Sequence, residues 1–222
     1  MVAHILMAGG TGMVGRLVTR RLLRRGDVEL ESLVRSPTLP SERSFDFEAL
    51  ASDRRAIVCK PAELGISCLG TTLRSAGSPE AFRRVDHDFV VSFAQLARRA
   101  GATRFILVSS VGAGGRGLYL ATKGAAEADI LSLGFDRVDI VRPSLLLGPR
   151  VDRRPAEFLA QRLAPMLNPL LVGPLARYAA LDADVVAAAI AQLSTHSLPG
   201  VYLHHVPDIQ ALPRRQGQDP LK

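Results

Sequence analysis

Between an apolar run, Val2 to Ala8, and a segment whose apolar residues recur three and four apart, Met13 to Arg25, stands Gly9-Gly10-Thr11-Gly12-Met13-Val14-Gly15. A strand that empties into such a loop and then a helix is a strong constraint on the fold. The first glycine permits a tight turn, the second lets an anion approach the backbone, and the third lets the helix lie close to its strand. The free N–H groups at the helix start, reinforced by the macrodipole, then suit a pyrophosphate. A merely glycine-rich turn is the competing explanation, and the strand and helix flanking the repeat at threes weigh against it.

The rest of the chain repeats the alternation. Val28 to Val34 reads as a second strand, closed by Arg35-Ser36-Pro37; the following stretch to about Arg55 reads as a polar loop with one short helix near Phe47 to Ser52. Ala56 to Cys59 and Gly65 to Gly70 are short apolar runs with strand character. Ser78-Pro79-Glu80 supplies an N-cap, a first-turn proline and a first-turn acid for a long helix to Ala100. Arg104 to Ser110 then reads as a strand, Tyr119 to Leu133 as a helix and Val138 to Leu147 as another strand. Past Pro149 the expectations are helices over Pro155 to Leu167 and Asp184 to Leu193, a last strand Val201 to Val206, and a frayed polar tail over 207–222. Strands joined by helices of this length require crossovers, so the fold class is α/β, a doubly wound parallel sheet. The 222 residues fit one domain.

Composition closes off other classes. Two cysteines, Cys59 and Cys68, lie in apolar stretches without metal-ligand spacing, and a reducing cytoplasm is the expected setting. No apolar stretch approaches the ~20 residues of a membrane span. The net charge of +7 invites a nucleic-acid reading, but the basic residues are interleaved with acids. Only Arg16, Arg20, Arg21, Arg24 and Arg25 cluster, on the outer face of the first helix, where a solvated face explains them; no nucleic-acid or membrane partner is expected. The pair His204-His205 has no neighbouring metal ligand, and alternating exposure in a late strand accounts for it.

The end of the second strand selects the dinucleotide. An acid about 20 residues past the loop grips a ribose lacking a 2′-phosphate; here Val34-Arg35-Ser36 stands there instead. Arg35 can pair with a 2′-phosphate and Ser36 can hydrogen-bond it, so NADP is expected over NAD unless Glu31 is the missing acid.

Tyr119 and Lys123 lie four apart, on one face of a helix. With 25 of the 28 basic residues arginine, a lysine at this position is not a random surface charge. Its cation favours the phenolate, which suits proton exchange with a carbonyl or hydroxyl. Upstream, Ser109-Ser110 ends a strand that points at the cofactor crevice, and Ser110 is the expected polariser of the substrate oxygen. Asp86 either braces the crevice or sits on a helix surface.

In this order the glycine loop, Ser109-Ser110, Tyr119/Lys123 and Arg142-Pro143-Ser144 resemble the short-chain dehydrogenases/reductases. Cys68-Leu69-Gly70-Thr71-Thr72, Val85-Asp86-His87-Asp88, Ser109-Ser110-Val111-Gly112-Ala113 and Tyr119-Leu120 resemble, more closely, the atypical subgroup of Tat-interacting-protein-like oxidoreductases. The resemblance implies NADP(H) contacts at Gly9, Thr11, Gly12, Met13 and Val14, adenine or ribose contacts near Arg35, Leu69, Gly70 and Thr71, and nicotinamide contacts near Pro143, Ser144 and Leu145. It implies Tyr119 as acid/base, Lys123 as its modulator and ribose ligand, and Ser110 as polariser, with the region 146–206 over the substrate. The expected function is an NADPH-dependent oxidoreductase of a small carbonyl or hydroxyl compound, as monomer or homodimer. The alternative is a dinucleotide-binding regulatory or sensor protein with little turnover.

Overall fold

The computed structural model describes residues 2–52, 59–148, 171 and 173–213. Strands β1 (Ala3–Ala8), β2 (Val28–Val34), β3 (Glu42–Ser44), β4 (Leu64–Ser67), β5 (Arg104–Val108), β6 (Arg137–Val141) and β9 (Gly200–His204) form one sheet in the order β3-β2-β1-β4-β5-β6-β9. Every pairing in it is parallel. A second, two-stranded parallel ladder joins β7 (Leu146–Leu147) to β8 (Leu181–Asp182).

A sheet covered on both faces has no polar side, and the burial of β1 follows from that: Ile5, Leu6, Met7 and Ala8 are all buried. Successive side chains feed opposite cores. Ile5 and Met7 pack with Val14, Val18 and Leu22 of α1 (Met13–Leu23) and with Val186 and Ile190 of α7 (Ala183–Leu193). Leu6 and Ala8 belong to the other face, with Phe93 and Leu96 of α5 (Val90–Arg99) and Ala126 and Ile130 of α6 (Leu118–Leu131). Strand order reverses between β1 and β4, and the crevice outside their carboxyl ends is where such sheets bind ligands.

The structure departs from the sequence expectations in several places. A third strand, β3, lies within the stretch expected to be a loop; it is three polar residues paired with Ser32, Leu33 and Val34 at the sheet edge, too short and too charged to carry a hydrophobic alternation. Of the expected strand Ala56 to Cys59, residues 56–58 lie outside the described residues, as do the expected helix Pro155 to Leu167 and the tail from 214. The strand expected to run to Leu147 stops at Val141, and Arg142-Pro143-Ser144 leaves the sheet before β7. Pro143 cannot donate to a ladder.

Residues 206–211 are helix rather than frayed tail. Helix α8 (Val206–Ala211) has proline in its first turn, the Asp208 carboxylate accepting the His205 N–H at 3.0 Å, and buried Val206, Ile209 and Leu212 beneath it. The long expected helix is three pieces: α4 (Pro79–Arg83), a π-helical turn over Arg84–Phe89, and α5. Phe82 and Phe93 are fully buried in the core, so they present no face to a partner.

His204 is not simply exposed by alternation. Its Nε2 lies 2.8 Å from Asp139 Oδ1, and Arg137 Nε donates to Asp139 Oδ2 at 2.6 Å. Burial pushes the Asp139 carboxyl up, but the hydrogen bonds from His204 and Arg137 outweigh it and hold the group below the usual carboxylate range. Cys68 packs against the core, and burial pushes its thiol up to about 12.

Candidate active site

At the switch in strand order the loops after β1 and β4 face each other across a cavity of about 440 Å³. Thr11, Gly12, Met13 and Val14 line one wall; Cys68, Leu69, Gly70 and Thr71 line the opposite one. Tyr119, Lys123 and Asp86 close it from the side of α6 and the π turn, with Val108, Ser109 and Leu146 beyond.

The glycines of the loop are there for space. Gly9 has φ +83°, and a Cβ on it would come 2.4 Å from the carbonyl carbon of Cys68, so the two loops touch through bare backbone. A Cβ on Gly15 would sit 2.0 Å from the Gly9 oxygen, which is the close approach of helix to strand expected from the motif. Gly15→Ala is therefore expected to cost about 1–3 kcal/mol of stability. Because the loop must shift to make room, dinucleotide affinity should also fall by at least about tenfold; denaturant unfolding and an NADPH titration check both, and unchanged affinity would refute the loop's role.

Helix α1 starts at Gly12 with no side-chain cap and no acid in its first turn. Its leading N–H groups and positive dipole end are left to the cavity, which fits a bridging pyrophosphate. Of the residues the sequence implies, Thr11, Gly12, Met13 and Val14 line the cavity, whereas Gly9 lies behind that lining and its oxygen accepts the Gly12 N–H at 3.1 Å.

Tyr119 and Lys123 are brought to the same cavity, as the spacing on one helix face requires. The half-buried Tyr119 ring packs on Phe82 with centroids 5.6 Å apart. Lys123 is buried, and its Nζ lies 2.8 Å from Oδ1 of Asp86, itself fully buried. The other Asp86 oxygen accepts the Thr71 N–H at 2.8 Å. Asp86 is thus a brace of the crevice rather than a surface residue. It reaches Lys123 from the π turn, where an extra residue in the turn re-aims a side chain that regular helix would place elsewhere. Gly70 leaves them room: its Cβ would be 3.4 Å from both Asp86 Oδ1 and Lys123 Nζ.

The serines separate. Ser109 is buried, lines the cavity and donates its hydroxyl to Glu127, whose carboxylate also pairs with Arg142. Ser110 is half-buried and outside that lining; among the described residues its hydroxyl makes only a 3.4 Å contact with the Val111 carbonyl, a weaker engagement than that of Ser109. Of the residues that the resemblance implies for the nicotinamide, Pro143 is buried, Ser144 donates to the Ala179 carbonyl and Leu145 is exposed, while Leu146 is the residue that reaches the cavity wall. Arg35 and Ser36 follow the end of β2 and are exposed, outside the lining. Glu31, the alternative acid, lies inside β2 opposite Leu6 and pairs with Arg43 Nε at 3.0 Å, so the strand's end carries no carboxylate. Arg16, expected on a solvated face, lines the cavity beside Thr11.

The sequence signature described as NAD(P)H-binding matches residues 9–157. The chain belongs to this NAD(P)H-binding family, as an atypical short-chain dehydrogenase/reductase. It is 35% identical over 169 residues to "Protein HTATIP2" of Rattus norvegicus, covering 71% of this chain and 69% of that one. It is 32% identical over 212 residues to "Protein fmp52, mitochondrial" of Aspergillus niger, covering 90% of each. Among solved structures, the Bordetella bronchiseptica enzyme WbmH in complex with NAD+ superposes with a TM-score of 0.66 at 13% identity, over 92% of this chain and 76% of that one. MoeE5 in complex with UDP-glucose and NAD does so with 0.66 at 18%, over 97% and 82%. These two establish the shared fold, and the family is oxidoreductase-like. Among the described residues no helix is long and apolar enough to cross a membrane.

Proposed function

We propose that this atypical short-chain dehydrogenase/reductase is an NADPH-dependent oxidoreductase acting on a small carbonyl or hydroxyl compound. The observation that carries this reading is the convergence of Tyr119 and Lys123 on the same cavity as the bare helix start at Gly12. When bound there, the dinucleotide supplies or accepts hydride; the chain's own residues handle the proton. In the reductive direction Tyr119 Oη gives its proton to the carbonyl oxygen, and the Lys123 ammonium offsets the charge left on the phenol. The ion pair with Asp86 holds the Lys123 ammonium in the cavity at 2.8 Å, where its donors would serve ribose hydroxyls and the phenol. Ser110, with its weakly engaged hydroxyl, is the proposed polariser of the substrate oxygen.

The choice of NADPH over NADH is supported by the β2 terminus, which carries Arg35 and Ser36 and no acid, and by Glu31 being engaged by Arg43. Calorimetric titration of the full chain is expected to give NADPH at least about tenfold tighter than NADH, the worth of one charge-assisted hydrogen bond to the 2′-phosphate. A carbonyl panel followed by NADPH absorbance then tests turnover; tight NADPH binding with no oxidation by any compound favours the sensor reading, and no binding of either coenzyme overturns both. The proposed partner is a small molecule and not a nucleic acid, since Arg21 and Arg25 of the α1 cluster are spent on Asp184 and Asp27. The proposed setting is cytoplasmic, from the cysteine usage; the fmp52 relatives are named mitochondrial, and subcellular fractionation separates the two.

A further inference from the structure

The arginines of α1 divide into two sets. Arg21 pairs with Asp184 at 2.6 Å across to α7, and Arg25 with Asp27 at 2.7 Å. Arg16, Arg20 and Arg24 form a row one turn apart, and none has a carboxylate partner among the described residues. This row lines a second groove, of about 610 Å³, between α1 and the loop that follows β2. The groove begins at Gly10 and Thr11 of the glycine loop, and Thr11 and Arg16 belong to both this groove and the dinucleotide cavity. One therefore opens into the other at the end where the adenosine half of a dinucleotide lies in sheets of this topology.

The opposite wall is the turn at Thr38 and Leu39. Its shape is held by Glu42, the acid in the groove. The Glu42 Oε2 accepts the N–H of Thr38 at 2.6 Å, the N–H of Leu39 at 3.0 Å and the Thr38 hydroxyl at 3.1 Å. Oε2 of that carboxylate is committed to its own loop, and among the described residues Glu42 makes no ion pair with the three arginines. Three guanidiniums in a row repel one another, and a helix keeps such a row at little cost only while solvent or a bound anion screens it. Side chains on a helix lean toward its N-terminus, so Arg16 and Arg20 both lean back toward the glycine loop. Arg35, just past the end of β2, lines neither the groove nor the cavity.

We infer that the 2′-phosphate of the dinucleotide is taken into this groove and gripped by Arg16 and Arg20, with the Thr11 hydroxyl beside it, so that the α1 row rather than Arg35 decides coenzyme choice. Arg24, two turns from the loop, adds only long-range field. The inference rests on the proposed NADPH function and deepens it.

The test uses two probes that lack the nicotinamide, adenosine 2′,5′-bisphosphate and AMP, titrated against the full chain. The unaltered chain is expected to bind the bisphosphate at least about tenfold more tightly. The double variant Arg16→Gln/Arg20→Gln should bring that ratio to within about twofold of unity by weakening the bisphosphate and sparing AMP, because the 2′-phosphate alone loses its partners. Arg35→Gln and Arg24→Gln should each keep most of the discrimination. All four positions are exposed, so the variants fold. A double variant that keeps the full ratio, or a ratio abolished by Arg35→Gln alone, overturns the inference while leaving NADPH dependence standing. Equal affinity of the unaltered chain for both probes overturns the inference and the NADPH preference together. No affinity for either probe or for NADPH removes the dinucleotide function itself.

Discussion

Tyr119→Phe is expected to lower turnover of whichever carbonyl the panel returns by at least about a hundredfold, the usual contribution of a positioned proton donor. The change removes one oxygen and nothing else. The Tyr119 ring is held by its contact with Phe82, which a phenylalanine repeats, so the fold and the cavity wall are preserved. NADPH affinity should stay within about twofold, because the pyrophosphate and adenosine ends are held elsewhere. Loss confined to kcat is the signature of a group that acts in the transition state. Equal turnover in the variant would remove Tyr119 from the chemistry, and a matching loss of NADPH affinity would reassign it to binding.

Asp86→Ala has the largest expected effect on stability. It leaves the buried Lys123 ammonium without its carboxylate and the Thr71 N–H without its acceptor. Removing one partner of a buried ion pair costs about 3–5 kcal/mol. In a chain of this size that lowers the melting temperature by about 6–20 °C. The double variant Asp86→Ala/Lys123→Met should recover part of the loss, since an apolar replacement for both partners removes the stranded charge. A single variant that melts within about 2 °C of the unaltered chain would contradict the burial argument.

The parts of the site that could be read from sequence are those encoded over a few adjacent residues. The glycine loop spans seven positions between one strand and one helix, and Tyr119 and Lys123 need only a helical turn to meet. Asp86 needed more: a π turn that the apolar spacing of Phe82, Val85, Phe89 and Phe93 conceals, and a partner on another helix. The serine pair illustrates how little separates two outcomes at a strand end, where neighbouring residues face opposite ways. Ser109 meets Glu127 inside the cavity wall and Ser110 stays apart from it. Charge pairing on α1 was equally hidden, because the acid that claims Arg21 lies on α7, far along the chain. Strand β3 is illegible for the opposite reason: three polar residues at a sheet edge obey no pattern, and only the ladder with β2 defines them. The doubly wound order itself followed from the alternation of strands and helices, which the seven parallel strands bear out.

The Asp86 carboxylate touches two separate pieces of chain, the loop after β4 through Thr71 and the helix of Tyr119 through Lys123, while itself standing on a third. An incoming coenzyme therefore meets a preassembled surface. The long lysine stem, whose freedom is worth up to about 2 kcal/mol, is already immobilised when the polypeptide folds. That entropy is not drawn from the encounter, which leaves more of the contact energy to appear as affinity.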